Sequence, residues 1–103
     1  MNIIKVKRWT KIPKDYTGIL EYDNGTKYWY LNNKLHRVDG PAVEFVNGDK
    51  TWWLNGKRHR VDGPAVEYIE SEYKITEYWI NGEEVTKEAQ EVLYGLYKLK
   101  GLL

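Results

Sequence analysis

The chain has 103 residues, 42% hydrophobic and 30% charged, with a net charge of +1, enough for one domain with a modest core. It has no Cys, which excludes disulfides, thiolate metal sites and cysteine nucleophiles, and no apolar run of about 18 residues that would cross a membrane. The near-neutral total hides a split: residues 1–60 hold twelve Lys or Arg against six acids, and residues 61–103 hold four against nine. In an elongated stack that split would set a basic end against an acidic one, through which copies could join as a homo-oligomer; an ordinary mixed surface would look the same in sequence. Five Trp and nine Tyr against a single Phe favour a thin, half-exposed core over a deep aliphatic one.

Taken in chain order, residues 1–15, MNIIKVKRWTKIPKD, alternate charged with apolar residues and lack the apolar core of a signal peptide, which points to a cytoplasmic, soluble protein. Residues 3–9 alternate well enough for a strand, with Ile12-Pro13-Lys14 as a break, so residues 1–16 form an N-terminal strand and cap. Residues 31–44, LNNKLHRVDGPAVE, then return as residues 54–67, LNGKRHRVDGPAVE, with a period of 23. A fixed period means that one small unit is stacked on copies of itself. Aligned by that period, the units are residues 17–39, 40–62 and 63–85, the last holding an insertion of three residues around Ser71-Glu72-Tyr73.

Asn24-Gly25, Asn47-Gly48, Asn55-Gly56 and Asn81-Gly82 read as two-residue hairpin turns, and Asn32-Asn33 takes the same place in the first unit. Two-residue loops set Val43 opposite Trp52, Ala42 opposite Trp53 and Glu44 opposite Thr51, then Trp52 opposite His59 and Trp53 opposite Arg58. Asp39-Gly40-Pro41 and Asp62-Gly63-Pro64 form a second class of turn. Side chains alternate faces, so one stripe holds Leu20, Trp29, His36, Val43, Trp52, His59, Val66, Tyr78 and Val85. The other holds Ile19, Tyr30, Leu35, Ala42, Trp53, Arg58, Ala65, Trp79 and Glu84. Residues 86–100, TKEAQEVLYGLYKLK, form a helix with Thr86 as N-cap and Ala89, Val92, Leu93 and Leu96 inward; it covers the last hairpin and closes that end. The expected fold is mainly β, one domain, an antiparallel meander of repeated 23-residue hairpins with one C-terminal capping helix.

The string Trp53-Leu54-Asn55-Gly56-Lys57-Arg58-His59-Arg60-Val61-Asp62-Gly63-Pro64-Ala65, with its period and aromatic content, resembles the MORN repeat and its bacterial variants. The W-x-N-G-K-x-H-R-x-D-G-P-A form is also similar to repeats in uncharacterised bacteriophage and large-virus proteins. The resemblance spans residues 17–85. Gly-Pro-Ala stands where a MORN repeat continues in glycine, and the third unit has lost the His-Arg-Xaa-Asp-Gly-Pro string. The resemblance implies extended antiparallel sheets used for protein–protein contact, with phospholipid binding in some members. Its phage-like form implies an accessory product that blocks a host factor in the host cytoplasm.

His36 and His59 are each followed by Arg and, three residues on, by Asp, which invites a general-base or metal reading. Their recurrence at matching places, with no third ligand or nucleophile, weighs toward a device that builds the unit, an imidazole beside Trp29 or Trp52 with Asp tying the turn. The sole serine, Ser71, falls at the inserted loop tip, far from either histidine. Asp39 and Asp62 read as turn residues. The reading that follows has no catalysis, cofactor or metal. A host-protein contact falls on Trp53, Trp79, Tyr30, Arg58, Tyr68, Glu72 and Tyr73, where aromatic anchors flank the irregular third hairpin. The alternative is a nucleotide or single-stranded nucleic acid held by Arg37, Arg58, Arg60, Trp52 and Trp53, through stacking and phosphate pairing. Glu21, Glu44 and Glu67 recur nearby and would repel phosphate. A third reading is a structural, self-assembling protein.

Overall fold

The computed structural model describes residues 2–7, 10–69 and 75–102. Turn length organises everything else. Three turns take positive φ at both central residues, as a two-residue hairpin loop requires: Asn32-Asn33 (49° and 64°), Asn55-Gly56 (50° and 78°) and Asn81-Gly82 (50° and 83°). The pairs Asn24-Gly25 and Asn47-Gly48 behave otherwise. There only Gly25 (95°) and Gly48 (97°) are left-handed. Gly25 N–H donates to the Tyr22 carbonyl, Gly48 N–H donates to the Phe45 carbonyl, and each loop closes around three residues.

That extra residue corrects the predicted register. Val43 faces Thr51 and Glu44 faces Lys50, and Leu20 likewise faces Tyr28. A slip of one position turns every side chain to the other side of a sheet. Leu20, Val43 and Val66 therefore share a face with Tyr30, Trp53 and Trp79, not with Trp29, Trp52 and Tyr78. Across the short turn the expectation holds: Trp53 faces Arg58, and His59 N–H donates to the Trp52 carbonyl at 3.1 Å.

Among the described residues the chain is mainly β, mostly antiparallel, with one C-terminal helix. In order the elements are β1 (Ile3–Val6), β2 (Gly18–Tyr22), β3 (Lys27–Leu31), β4 (Lys34–Leu35), β5 (Val43–Glu44) and β6 (Lys50–Thr51). There follow β7 (Trp53–Leu54), β8 (Lys57–Arg58), β9 (Val66–Glu67), β10 (Thr76–Ile80), β11 (Glu83–Val85) and α1 (Lys87–Leu99). The main sheet runs β1-β2-β3-β5-β6-β9-β10-β11, with β4 beside β3, while β7 and β8 pair separately. The first strand departs from a pure meander, because β1 pairs with β2 in parallel. Gly18 permits that approach: a Cβ there would lie 2.4 Å from the Asn2 carbonyl oxygen.

Short hairpins lie side by side through bonds between units. Arg37 N–H donates to the Trp53 carbonyl and Gly56 N–H to the Leu35 carbonyl; Arg60 N–H donates to Trp79 and Gly82 N–H to Arg58 in the same manner. The core is thin. Val6, Tyr16 and Leu20 cluster with Ile4, Tyr28 and Tyr30, while Ala42, Val43, Ala65 and Val66 are buried along the sheet. The whole measures 44 × 34 × 19 Å.

The helix starts as predicted, Thr86 accepting from the Ala89 N–H at 3.1 Å, but its rotation differs. Gln90 is buried and its Nε2 donates to the Val61 carbonyl, which turns Val92 (63% exposed) and Leu96 (44%) outward. Burying an amide is tolerated because it is hydrogen-bonded, and that polar anchor overrides the apolar periodicity. Nor does α1 only close the last hairpin. It packs on β10 and its C-terminal end reaches back, Tyr97 and Leu102 lining a cleft with the loops at residues 37–40 and 59–62. Among the described residues no helix is long and apolar enough to cross a membrane.

Candidate functional site

The repeated His-Arg-Xaa-Asp-Gly-Pro string builds an arginine cage twice. The Arg60 guanidinium lies 4.0 Å from the Trp52 ring centroid. Its Nε donates to Asp62 Oδ1 at 2.8 Å, and one terminal nitrogen donates to the Pro64 carbonyl (3.1 Å) and Glu67 Oε1 (3.3 Å). Arg37 repeats the arrangement on Trp29 at 4.1 Å, with Asp39, the Pro41 carbonyl and Glu44. The intervening glycines leave room for the guanidinium, since a Cβ at Gly40 or Gly63 would lie 3.0 or 2.8 Å from its central carbon. The aspartates thus tie their turns through arginine, and it is arginine, not imidazole, that stacks on the indole.

The histidines do other work. Asn55 N–H donates to His36 Nδ1 and Asn81 N–H to His59 Nδ1, both at 2.9 Å. Each imidazole thereby accepts the first amide of the next unit's turn, which requires Nδ1 to be unprotonated and puts the proton of the neutral ring on Nε2. Burial of His59 pushes its pKa below the ordinary imidazole value. The two rings have equivalent surroundings on different units. Among the described residues, no three His, Cys, Asp or Glu gather in a way that could hold a metal ion.

Strand alternation places Arg58 elsewhere. Arg58 sits opposite Trp53, on the side away from Trp52 and Leu54, with its guanidinium 5.3 Å from the Trp53 ring and 5.2 Å from the Trp79 ring. Both indoles are fixed from below: Trp53 Nε1–H donates to Thr51 Oγ1 (2.8 Å) and Trp79 Nε1–H to Glu77 Oε1 (2.9 Å). Glu77 also stands 3.6 Å from an Arg58 terminal nitrogen. Arg58 Nε is buried and meets no acceptor among the described residues. A groove of about 530 Å³ opens here, lined by Trp53, Lys57, Arg58, Trp79 and the Asn81-Gly82-Glu83 turn.

Of the residues picked from sequence for a protein contact, Trp53, Trp79 and Arg58 form this one cluster. Tyr68 joins it through an adjoining hollow that also includes Phe45, Thr51 and Arg58. Tyr30 holds the matching position in the first unit, opposite Leu35, where it packs on the cluster of Val6, Tyr16 and Leu20; burial raises its hydroxyl pKa. Glu72, Tyr73 and Ser71 lie outside the described residues. The nucleotide set is not brought together. Arg37, Arg60 and Trp52 belong to the helix side, while Arg58 and Trp53 face the other way.

Sequence reasoning missed a further apolar row. Tyr22, Phe45 and Tyr68 recur at the same place in each unit and are 39%, 39% and 37% exposed, with Val46 and Ile69 beside them at the loops. The period alone would have exposed this row. The helix-side cleft, about 610 Å³, is the larger hollow, but Arg37, Asp39, Arg60 and Asp62 on its wall already satisfy one another. Compared with protein-family models, curated proteins and solved structures, the chain matches none.

Proposed function

We propose that this chain is a non-enzymatic protein-binding module, built as a MORN-like array in which a 23-residue hairpin unit is laid down in succession. The bonds that recur between matching residues support the array: the two arginine cages and the two histidine–amide bonds. The contact surface is the open face carrying Trp53, Arg58, Trp79 and Tyr68. One observation carries this reading above all. Two half-exposed indoles, each anchored by its ring N–H, clamp an arginine on the face that the helix leaves uncovered. Rigid Trp and Arg groups at the centre of a groove are the side chains that most often dominate protein interfaces. The phage-like form of the repeat makes the partner a host protein that this chain occludes, in the host cytoplasm.

Capture experiments from bacterial lysate test this with variants on both faces. Trp53→Ala and Arg58→Ala are expected to lose the captured protein, while Val38→Ala, whose side chain is 83% exposed beside the helix-side cleft, retains it. Equal capture by the wild type and all three variants would overturn the open face as the contact surface. Circular dichroism confirms that each variant is folded. The nucleotide alternative requires guanidinium groups free for phosphate, and Arg37 and Arg60 each hold two carboxylates. Saturable, salt-sensitive quenching of Trp fluorescence by oligonucleotides would restore it.

A further inference from the structure

The outer side of α1 carries an apolar stripe that nothing among the described residues covers. Val92, Leu96 and Leu99, at spacings of four and three, are 63%, 44% and 85% exposed, while Gln90 turns the opposite side into the fold. An amphipathic helix ordinarily spends its apolar side on its own core. Gly95 lies beside the stripe, and a Cβ on it would meet nothing within 4 Å. Glycine inside a helix costs about 1 kcal/mol relative to alanine, and no close approach within the chain requires it. Both acids of α1, Glu88 and Glu91, lie in its first half, after Lys87, and Lys98 and Lys100 stand at its end.

We propose that this stripe is a self-association surface through which two copies of the chain pair, α1 against α1, in antiparallel order. Setting Val92 of one copy against Leu96 of the other, and the reverse, fixes the register. Four residues outward from each, Glu88 of one copy then lies opposite Lys100 of the other, twice by two-fold symmetry. Leu99 falls against Ala89, and Gly95 near the crossing lets the two backbones approach closely. A parallel pair would set Glu88 on Glu88 and Lys100 on Lys100, which like-charge repulsion opposes. One helix face is less than the roughly 800 Å² per partner of a standard interface, so the pairing is weak and reversible. The helix lies on the side of the sheet away from Trp53, so pairing leaves both open faces accessible and does not depend on what binds them.

Sedimentation equilibrium of the full chain from roughly 1 μM to 1 mM, a span that brackets weak dimers, tests the proposal. The wild type is expected to shift from monomer to dimer across that range. Leu96→Glu should weaken association at least tenfold while leaving the circular dichroism spectrum and melting temperature unchanged. Glu88→Lys and Lys100→Glu should each weaken it several-fold, and the double exchange should recover most of the loss. That rescue separates a lost pair from a weakened helix terminus. A wild type that stays monomeric throughout, or a dimer indifferent to Leu96→Glu, overturns the surface. Single exchanges that weaken the dimer without recovery in the double variant overturn the antiparallel register.

Discussion

Arg60 illustrates how one side chain can hold a turn, and what that arrangement predicts. A methyl group on Gly63 would lie 2.8 Å from the guanidinium carbon, but a long side chain can swing aside. The cost of Gly63→Ala is therefore whatever Arg60 loses by moving: an indole face, two carboxylates and a carbonyl. Exposed ion pairs contribute about 0–1 kcal/mol and a cation–π contact about 0.5–1, so we expect a loss of about 1–2 kcal/mol in urea unfolding. In an Arg60→Ala background the same change should cost close to nothing, since contacting residues do not add; an equal cost in both would mean that backbone conformation, not the cage, requires glycine there. His59 gives a pH-dependence with a defined sign. Its folded pKa is depressed by burial, so as pH falls below the unfolded value of about 6.5 the unfolded chain takes up a proton that the fold resists. Stability should be full above that pH, fall as pH drops toward the folded pKa, and level off below it. Protonation also removes the acceptor for the Asn81 amide. His59→Ala should lower stability at pH 8 by about 1 kcal/mol, the net worth of a hydrogen bond, and flatten the pH curve; an unchanged slope would assign the dependence to other groups.

At the scale of the element, glycine placement decides more than glycine presence. Gly48 closes a three-residue loop at φ 97°, a region in which a Cβ is strained. Gly48→Ala should thus cost about 1–2 kcal/mol, whereas Gly95→Ala, with open space around it, should stabilise dilute protein by about 0.5–1 kcal/mol. Urea midpoints of the two variants should move in opposite directions, and a shared direction would refute the distinction. The short turns, the Thr86 cap and the Trp53–Arg58 pairing were legible in the sequence because Asn-Asn, Asn-Gly and a Thr before a helical run each have one favoured local geometry. The long loops were not. Asn-Gly also suits a turn in which the Asn side chain accepts from the amide two residues on, as Asn24 does from Thr26 and Asn47 from Asp49. Sequence cannot choose between those geometries, and the choice moves Val43 from the Trp52 face to the Trp53 face. The rotation of α1 was hidden for a related reason: hydrophobic spacing gives no weight to Gln90, whose buried amide sets it. The separation of Arg58 from Arg37 and Arg60, which divides the two candidate surfaces, depends on strand faces that only the register fixes.

Across the whole molecule, two patterns run from hairpin to hairpin: one stops where the short turns stop, and the other favours the order and register of the strands. In the first, a side chain accepts the leading amide of each short turn: Thr17 Oγ1 from Asn32, His36 from Asn55 and His59 from Asn81. Val85 holds the next matching place and its side chain has no acceptor to offer, and Thr86, the cap of α1, follows it. In the second, the cross-strand row Lys5, Glu21, Lys27, Glu44, Lys50 and Glu67 alternates in sign over six strands. Opposite charges facing each other contribute about 0.2–1 kcal/mol a pair, and like charges oppose pairing. The row therefore favours this order and register over slipped ones, in a sheet whose strands are too short to specify register by apolar contacts alone. Glu21 records the field, its carboxyl held below the usual range chiefly by the hydrogen bond from Lys5. Lys50 stands between Glu44 and Glu67, so Lys50→Glu would replace two attractions with two repulsions. We expect a loss of about 1–2 kcal/mol, against less than about 0.5 kcal/mol for Lys11→Glu, an exposed site outside the row. About 1 M salt, which shortens the screening length to roughly 3 Å, should shrink the Lys50→Glu penalty and leave the Lys11→Glu value where it was. A penalty unmoved by salt would mean that the Lys50 stem, packed between neighbouring strands, matters more than its charge.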